Sequence, residues 1–170
     1  MTLKLLAQGL LKRPVTIPAP RPDGELLREL ATKLDALARR RLGRSLSIRE
    51  VDAGSCNGCE LEIHALNNAI YDLERFGIRV VASPRHADVL MVTGPVTKNM
   101  REALLRTWAC TPDPKWCVAV GDCGFDGHVF KGGEGIVGGV GDVLPVHLHL
   151  RGCPPRPIAM LEGLIALIEG

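Results

Sequence analysis

An α/β fold with a largely parallel sheet flanked by helices is what this sequence predicts. Three observations point there. From residue 47 onward, short β-rich runs alternate with helical ones, the pattern of strands joined by helical crossovers. The 170 residues, with 46% hydrophobic content, suit one domain with a core of its own. The longest apolar runs, such as Val89-Leu90-Met91-Val92, have the length of strands and fall far short of the roughly 18 to 20 residues a membrane span needs.

The elements follow in order. A short first helix is expected before Pro14, Pro18, Pro20 and Pro22, which cannot propagate a helix and make residues 14–22 an extended tether. Asp23 is placed to cap a helix running to about Arg41, with Leu26, Leu30, Leu34 and Leu37 on one face. That face needs a cover, either the chain's own domain or another subunit. Residues 47–51 are a strand, and residues 60–75 a helix turning Ile63, Leu66, Ile70 and Leu73 inward. Strands are expected at 78–82 and 89–93, a helix at 98–109, and strands at 116–121 and 143–150. A last helix at 157–169 opens on Pro157, a residue suited to the first helical turn. The chain thus divides into an N-terminal docking extension, residues 1–46, and an α/β domain, residues 47–170.

Charge is uneven along the chain. Residues 1–50 hold 11 basic and 5 acidic side chains, a net of +6, whereas the remainder is net −4. Arg39-Arg40-Arg41, Arg44 and Arg49 suit anionic headgroups or an acidic partner, or form a solvated helix end. Nucleic acid is not an expected partner, because one Tyr, two Trp and three Phe leave little to stack on bases. Residues 1–6 are amphipathic without the apolar core and cleavage site of a secretory signal, so a cytoplasmic location is expected.

Four of the six cysteines stand in loops. They are the pair in Cys56-Asn57-Gly58-Cys59, Cys123 in Gly121-Asp122-Cys123-Gly124, and Cys153 in Gly152-Cys153-Pro154-Pro155. Each loop follows an expected strand, and in open parallel sheets such loops gather at the carboxyl edge, where ligands bind. Four thiolates converging there select zinc or an iron-sulfur cluster. Structural zinc usually takes two close pairs, and here there is one pair with two distant singles, an arrangement suited to a cuboidal 4Fe-4S cluster. On chemistry alone a structural zinc scaffold and unligated thiols stay open. Cys110 and Cys117 are expected to face inward as small hydrophobes outside the site.

The same motifs carry a likeness. Together with Ser83-Pro84-Arg85-His86-Ala87-Asp88 and Thr93-Gly94-Pro95-Val96-Thr97, they run in register with one family from about residue 46 to the C-terminus. The chain resembles the respiratory complex I 20 kDa subunit and the small subunits of energy-converting (group 4) NiFe hydrogenases. Complex I members have adjacent cysteines where this chain has Cys56-x-x-Cys59, which likens it to the hydrogenase branch of formate hydrogenlyase and hydrogenase-4. The resemblance implies a flavodoxin-like three-layer sandwich preceded by an N-terminal helical extension. It also implies one 4Fe-4S cluster on Cys56, Cys59, Cys123 and Cys153, and a non-catalytic electron-transfer role.

By the same likeness the partners are a large NiFe-hydrogenase-like or complex I 49 kDa-like subunit, a ferredoxin-like subunit and integral membrane subunits, on the cytoplasmic side of the inner membrane. The corresponding small subunit of a complex I-like quinone oxidoreductase is the neighbouring alternative. One stretch departs from the family: His147, His149 and Arg151 stand where it usually reads Val-Asp-Val-Tyr-(Ile/Val)-Pro after the residue matching Pro145. The two histidines are expected to share a strand face and be hydrogen-bonded; alternatively Arg151 or a histidine raises the cluster potential or takes a proton. Glu62 is expected to stabilise the start of its helix, with Glu60 and His64 at the surface or an interface. The glycines from Gly132 to Gly141 lack a P-loop ending and do not read as a phosphate cradle.

Overall fold

The structure, a computed structural model, describes residues 24–170. The expected first helix, the tether at 14–22 and the Asp23 cap lie outside the described residues. The elements are α1 (Gly24–Leu42), β1 (Ser47–Asp52), α2 (Gly58–Ala65), β2 (Arg79–Val80), β3 (Val89–Thr93), β4 (Val96–Thr97) and α3 (Lys98–Cys110). They continue with β5 (Trp116–Val120), α4 (Gly121–Asp126), β6 (Ile136–Gly138), β7 (Leu148–Leu150) and α5 (Pro157–Glu169).

The main sheet has the order β2-β1-β3-β5-β7 with every neighbouring pair parallel. Counted along that sheet the order is 2-1-3-4-5, the flavodoxin-like arrangement, which places a ligand crevice beyond the strand ends where the order reverses. β4 and β6 form a separate antiparallel pair. Every residue of β3 and of β5 is buried, as expected of central strands covered on both faces. The period-2 alternation of side chains then makes two cores. Ile48, Val89, Met91 and Val118 meet α1, α2 and α5 through Leu27, Leu34, Ile63 and Leu164. On the other face Val51, Leu90, Val92 and Ala119 meet Leu104 of α3 and Leu144.

The cover over α1 is the chain itself. Its buried stripe is Leu27, Ala31, Leu34 and Ala38, facing α5 in the larger core. The expected leucine stripe is therefore rotated: Leu30 and Leu37 lie at its margin and Leu26 is exposed. Alanines at two inward positions let the two helices approach closely. At the end of α1, Arg41 donates to the Ile168 carbonyl at 2.7 Å, and Lys33 meets Glu169 at 2.7 Å. The basic run is also partly engaged within the fold, since Arg39 pairs with Asp35 and Arg44 donates two hydrogen bonds to the buried Asp88 carboxylate.

Three elements are shorter than the sequence predicts. α2 ends at Ala65 because Asn68 offers its side-chain oxygen to the N–H groups of Ile70 and Tyr71, a local alternative to the helical ladder. Ile70 consequently lies 59% exposed, while Ile63, Leu66 and Leu73 are inward as expected. The second strand narrows to Arg79–Val80 at the sheet edge. The run 143–150 becomes a strand only at Leu148–Leu150, because Val143 and Leu144 both donate back to the Val140 carbonyl and Pro145 has no N–H to offer a ladder.

Candidate metal centre

The Cys56–Cys59 loop leaves β1 through a tight turn. Asp52 accepts from the N–H groups of Gly54 at 2.8 Å and Ser55 at 2.7 Å, and the Ser55 hydroxyl accepts from Asn57 N–H at 3.0 Å. Asn57 then adopts the left-handed conformation, φ 71°, and starts α2 with Cys59 in its first turn. β3 ends beside this loop at Gly94, φ +71°, where a Cβ would stand 2.5 Å from the Ser55 nitrogen. Glycine is needed for the approach.

Cys123 sits in the first turn of α4, directly beyond β5. The preceding Gly121 has φ +82°, and a Cβ there would lie 2.6 Å from Cys59 Sγ. Cys153 follows β7 in a loop tied to that of Cys123. Asp122 N–H donates to the Gly152 carbonyl at 2.9 Å, and Gly152 N–H returns a bond to Asp122 Oδ1 at 3.3 Å.

Three loops therefore bring Cys56, Cys59, Cys123 and Cys153 around one cavity of about 120 Å³, with Gly94 and Asp122 also in its wall. Cys123 is buried, Cys59 half-buried, and Cys56 and Cys153 exposed. Burial pushes the Cys59 thiol up to about 12, aided by Glu60 and by the charges that Cys123, Cys56 and Cys153 would carry. Cys123 is also raised, by burial first and then by Cys153 and Cys56. Raised thiols such as those of Cys59 and Cys123 become thiolates when positive charge is placed among them. Among the described residues no group of three or more His, Cys, Asp or Glu side chains is arranged to hold a single metal ion. The thiols surround a space larger than the share of volume of one water molecule, about 30 Å³, and soft donors around such a space fit a multi-atom iron-sulfur core.

The neighbouring residues fall differently from the sequence expectations. Cys117 is buried in β5, where burial pushes its thiol up to about 12, but Cys110 is exposed at the end of α3. Glu60 is not at the surface. It is 6% exposed in the first turn of α2, both carboxylate oxygens lack a hydrogen-bond partner, and Glu50 nearby has a buried unpartnered oxygen as well. Burial, and then Glu60, raise the Glu50 carboxyl above its usual range. Glu62 stands in the middle of α2, so the acidic group in the first turn is Glu60. His64 is exposed.

His147 and His149 go to different neighbours. His147 Nδ1 accepts from Cys117 N–H at 3.0 Å and its ring stands near Trp108. His149 meets the Phe125 ring edge-on at 4.8 Å, and burial, with Arg151 next, lowers its imidazole below the ordinary value. Arg151 donates from Nε to Asp122 Oδ1 at 2.7 Å, and its guanidinium lies over Phe125 at 4.0 Å. Hydrogen bonding from Gly152, and then Arg151, holds the Asp122 carboxyl below the usual range. Asp122 and Gly94 were not among the expected site residues. Their signal was position, since each stands one or two residues beyond a buried strand.

The family described as NADH ubiquinone oxidoreductase, 20 Kd subunit, matches residues 56–167, a span that includes all four cysteines. The chain belongs to this family. Among relatives, it is 44% identical to formate hydrogenlyase subunit 7 of Escherichia coli over 147 residues, 86% of this chain and 56% of that protein. It is 45% identical to a subunit of the NADH-quinone oxidoreductase of Bacteroides thetaiotaomicron over 127 residues, 74% of this chain and 64% of that one. The chain thus spans somewhat over half the length of these two relatives. Among solved structures it superposes on a chain of the membrane-bound sulfane sulfur reductase, an archaeal respiratory membrane complex. The TM-score is 0.66 at 35% identity, covering 81% of this chain and 74% of that chain. Relatives of this chain thus include subunits of formate hydrogenlyase and of NADH-quinone oxidoreductase. No helix among the described residues is long and apolar enough to cross a membrane.

Proposed function

We propose that this chain is an electron-transfer subunit carrying one 4Fe-4S cluster in a membrane-associated NiFe hydrogenase-type complex. The observation that carries the reading is the single cavity walled by Cys56, Cys59, Cys123 and Cys153. When bound, the cluster supplies one-electron storage and transfer. The chain's own residues hold it and set its surroundings. Gly94 and Gly121 let the backbone and Cys59 come close, and Asp122 and Gly152 fix two loops against each other.

Four soft donors around a cavity of about 120 Å³ favour a cluster over a single structural zinc. Catalysis itself is assigned to a large subunit, with electrons passing through a ferredoxin-like subunit and the assembly docked on membrane subunits at the cytoplasmic face. Within it, residues 47–170 form the cluster-binding unit and residues 1–46 contribute to docking. The likeness to the NADH-quinone oxidoreductase relative supports a second reading, a complex I-like quinone-reducing module. The Cys-x-x-Cys spacing favours the hydrogenase branch, and nickel in the co-purified large subunit separates the two.

Electron paramagnetic resonance of the anaerobically purified, dithionite-reduced protein tests the cluster. The expected result is one reduced-cluster signal that is lost or altered in Cys153→Ser and unchanged in Cys110→Ser. An intact signal in Cys153→Ser contradicts the ligand assignment.

A further inference from the structure

Arg151 directly follows β7, and the fold gives it a defined job. Its Nε donates to Asp122 Oδ1 at 2.7 Å, and the same oxygen accepts from Gly152 N–H at 3.3 Å. Asp122 N–H answers by donating to the Gly152 carbonyl at 2.9 Å. The guanidinium also lies 4.0 Å over the Phe125 ring, and that ring is held edge-on by His149 at 4.8 Å. One cation therefore ties the loop after β7, which holds Cys153, to α4, which holds Cys123.

The charges matter as much as the contacts. Asp122 lines the thiol cavity, so its carboxylate adds negative charge beside any four thiolates gathered there. A guanidinium on that carboxylate cancels the charge and leaves its hydrogen bonds to the loop in place.

We propose that Arg151 is a positioning residue for the metal centre: it clasps the Cys123 and Cys153 loops through Asp122 and offsets the Asp122 charge, thereby raising the reduction potential of the bound cluster. The proposal rests on the cluster reading. Charge and clasp are separable, because lysine keeps the cation but loses the planar group that lies over Phe125.

The test uses the full chain loaded anaerobically with iron and sulfide, comparing the parent with Arg151→Gln, Arg151→Lys and Asp122→Asn. Two quantities are read, the midpoint potential of the cluster and the rate at which its visible absorption is lost to an iron chelator. Arg151→Gln is expected to shift the potential negative and to speed loss about tenfold, the scale of outer-sphere changes at metal sites. Arg151→Lys should stay near the parent in potential while losing the cluster faster. Asp122→Asn should shift the potential positive, a sign that a purely mechanical role does not produce. A loaded parent with Arg151→Gln indistinguishable from it, or with Asp122→Asn shifted negative, overturns the clasp alone. A parent that takes up no iron and sulfide overturns the clasp together with the cluster reading.

Discussion

Among the described residues, Glu50 and Glu60 hold three of the four buried side-chain polar atoms that lack a hydrogen-bond partner. Each has carboxylate oxygen shut away from solvent without a hydrogen-bond partner, a placement that costs free energy. Burial and Glu60 raise Glu50 above its ordinary value of 4.5, joined by Asp52, while Arg49 and His64 pull it down. The folded chain thus binds this proton more tightly than the unfolded chain. The stability it contributes is full below about 4.5 and is lost as pH rises through the raised native value. Denaturant melts across pH are therefore expected to show a smaller decline above 4.5 for Glu50→Gln than for the parent, and equal declines would contradict this placement. The gathering of the four cysteines at one cavity was legible because each stands within two residues of glycine or proline in a segment past a strand. Glu60 was not, because its spacing from Cys59 says nothing about which way the first turn of α2 points.

At the scale of elements, α1 shows how a helical pattern is read correctly in type and wrongly in rotation. Leucines at 26, 30, 34 and 37 suggest one stripe, but the smaller Ala31 and Ala38 share the buried face with Leu27 and Leu34 against α5. Alanine carries a weak apolar signal in a sequence and a strong one in a close helix contact. Leu34→Ala removes a fully buried side chain and is expected to cost about 2–5 kcal/mol in equilibrium denaturation. Leu26→Ala, at an exposed position, should cost less than about 1 kcal/mol. Equal losses at the two positions would restore the original stripe. The central strands were read to within a residue because they are continuous apolar runs. β7 was overextended because the run before it folds back on itself, as Val143 and Leu144 do onto Val140.

For the whole molecule, topology does most of the functional work. Parallel strands in the order 2-1-3-4-5 send the loops after β1, β3, β5 and β7 to one edge, so residues far apart in sequence share one cavity. That gathering was legible from the alternation of elements. The loop-to-loop ties that refine it, Asp122 to Gly152 and Arg151 to Asp122, depend on backbone directions that no spacing rule contains. The most direct measurement is the iron, acid-labile sulfide and zinc content of the anaerobically prepared chain. About four irons and about four sulfides per chain, with no zinc, is the expected result. One zinc per chain, or iron without sulfide, would contradict the electron-transfer account.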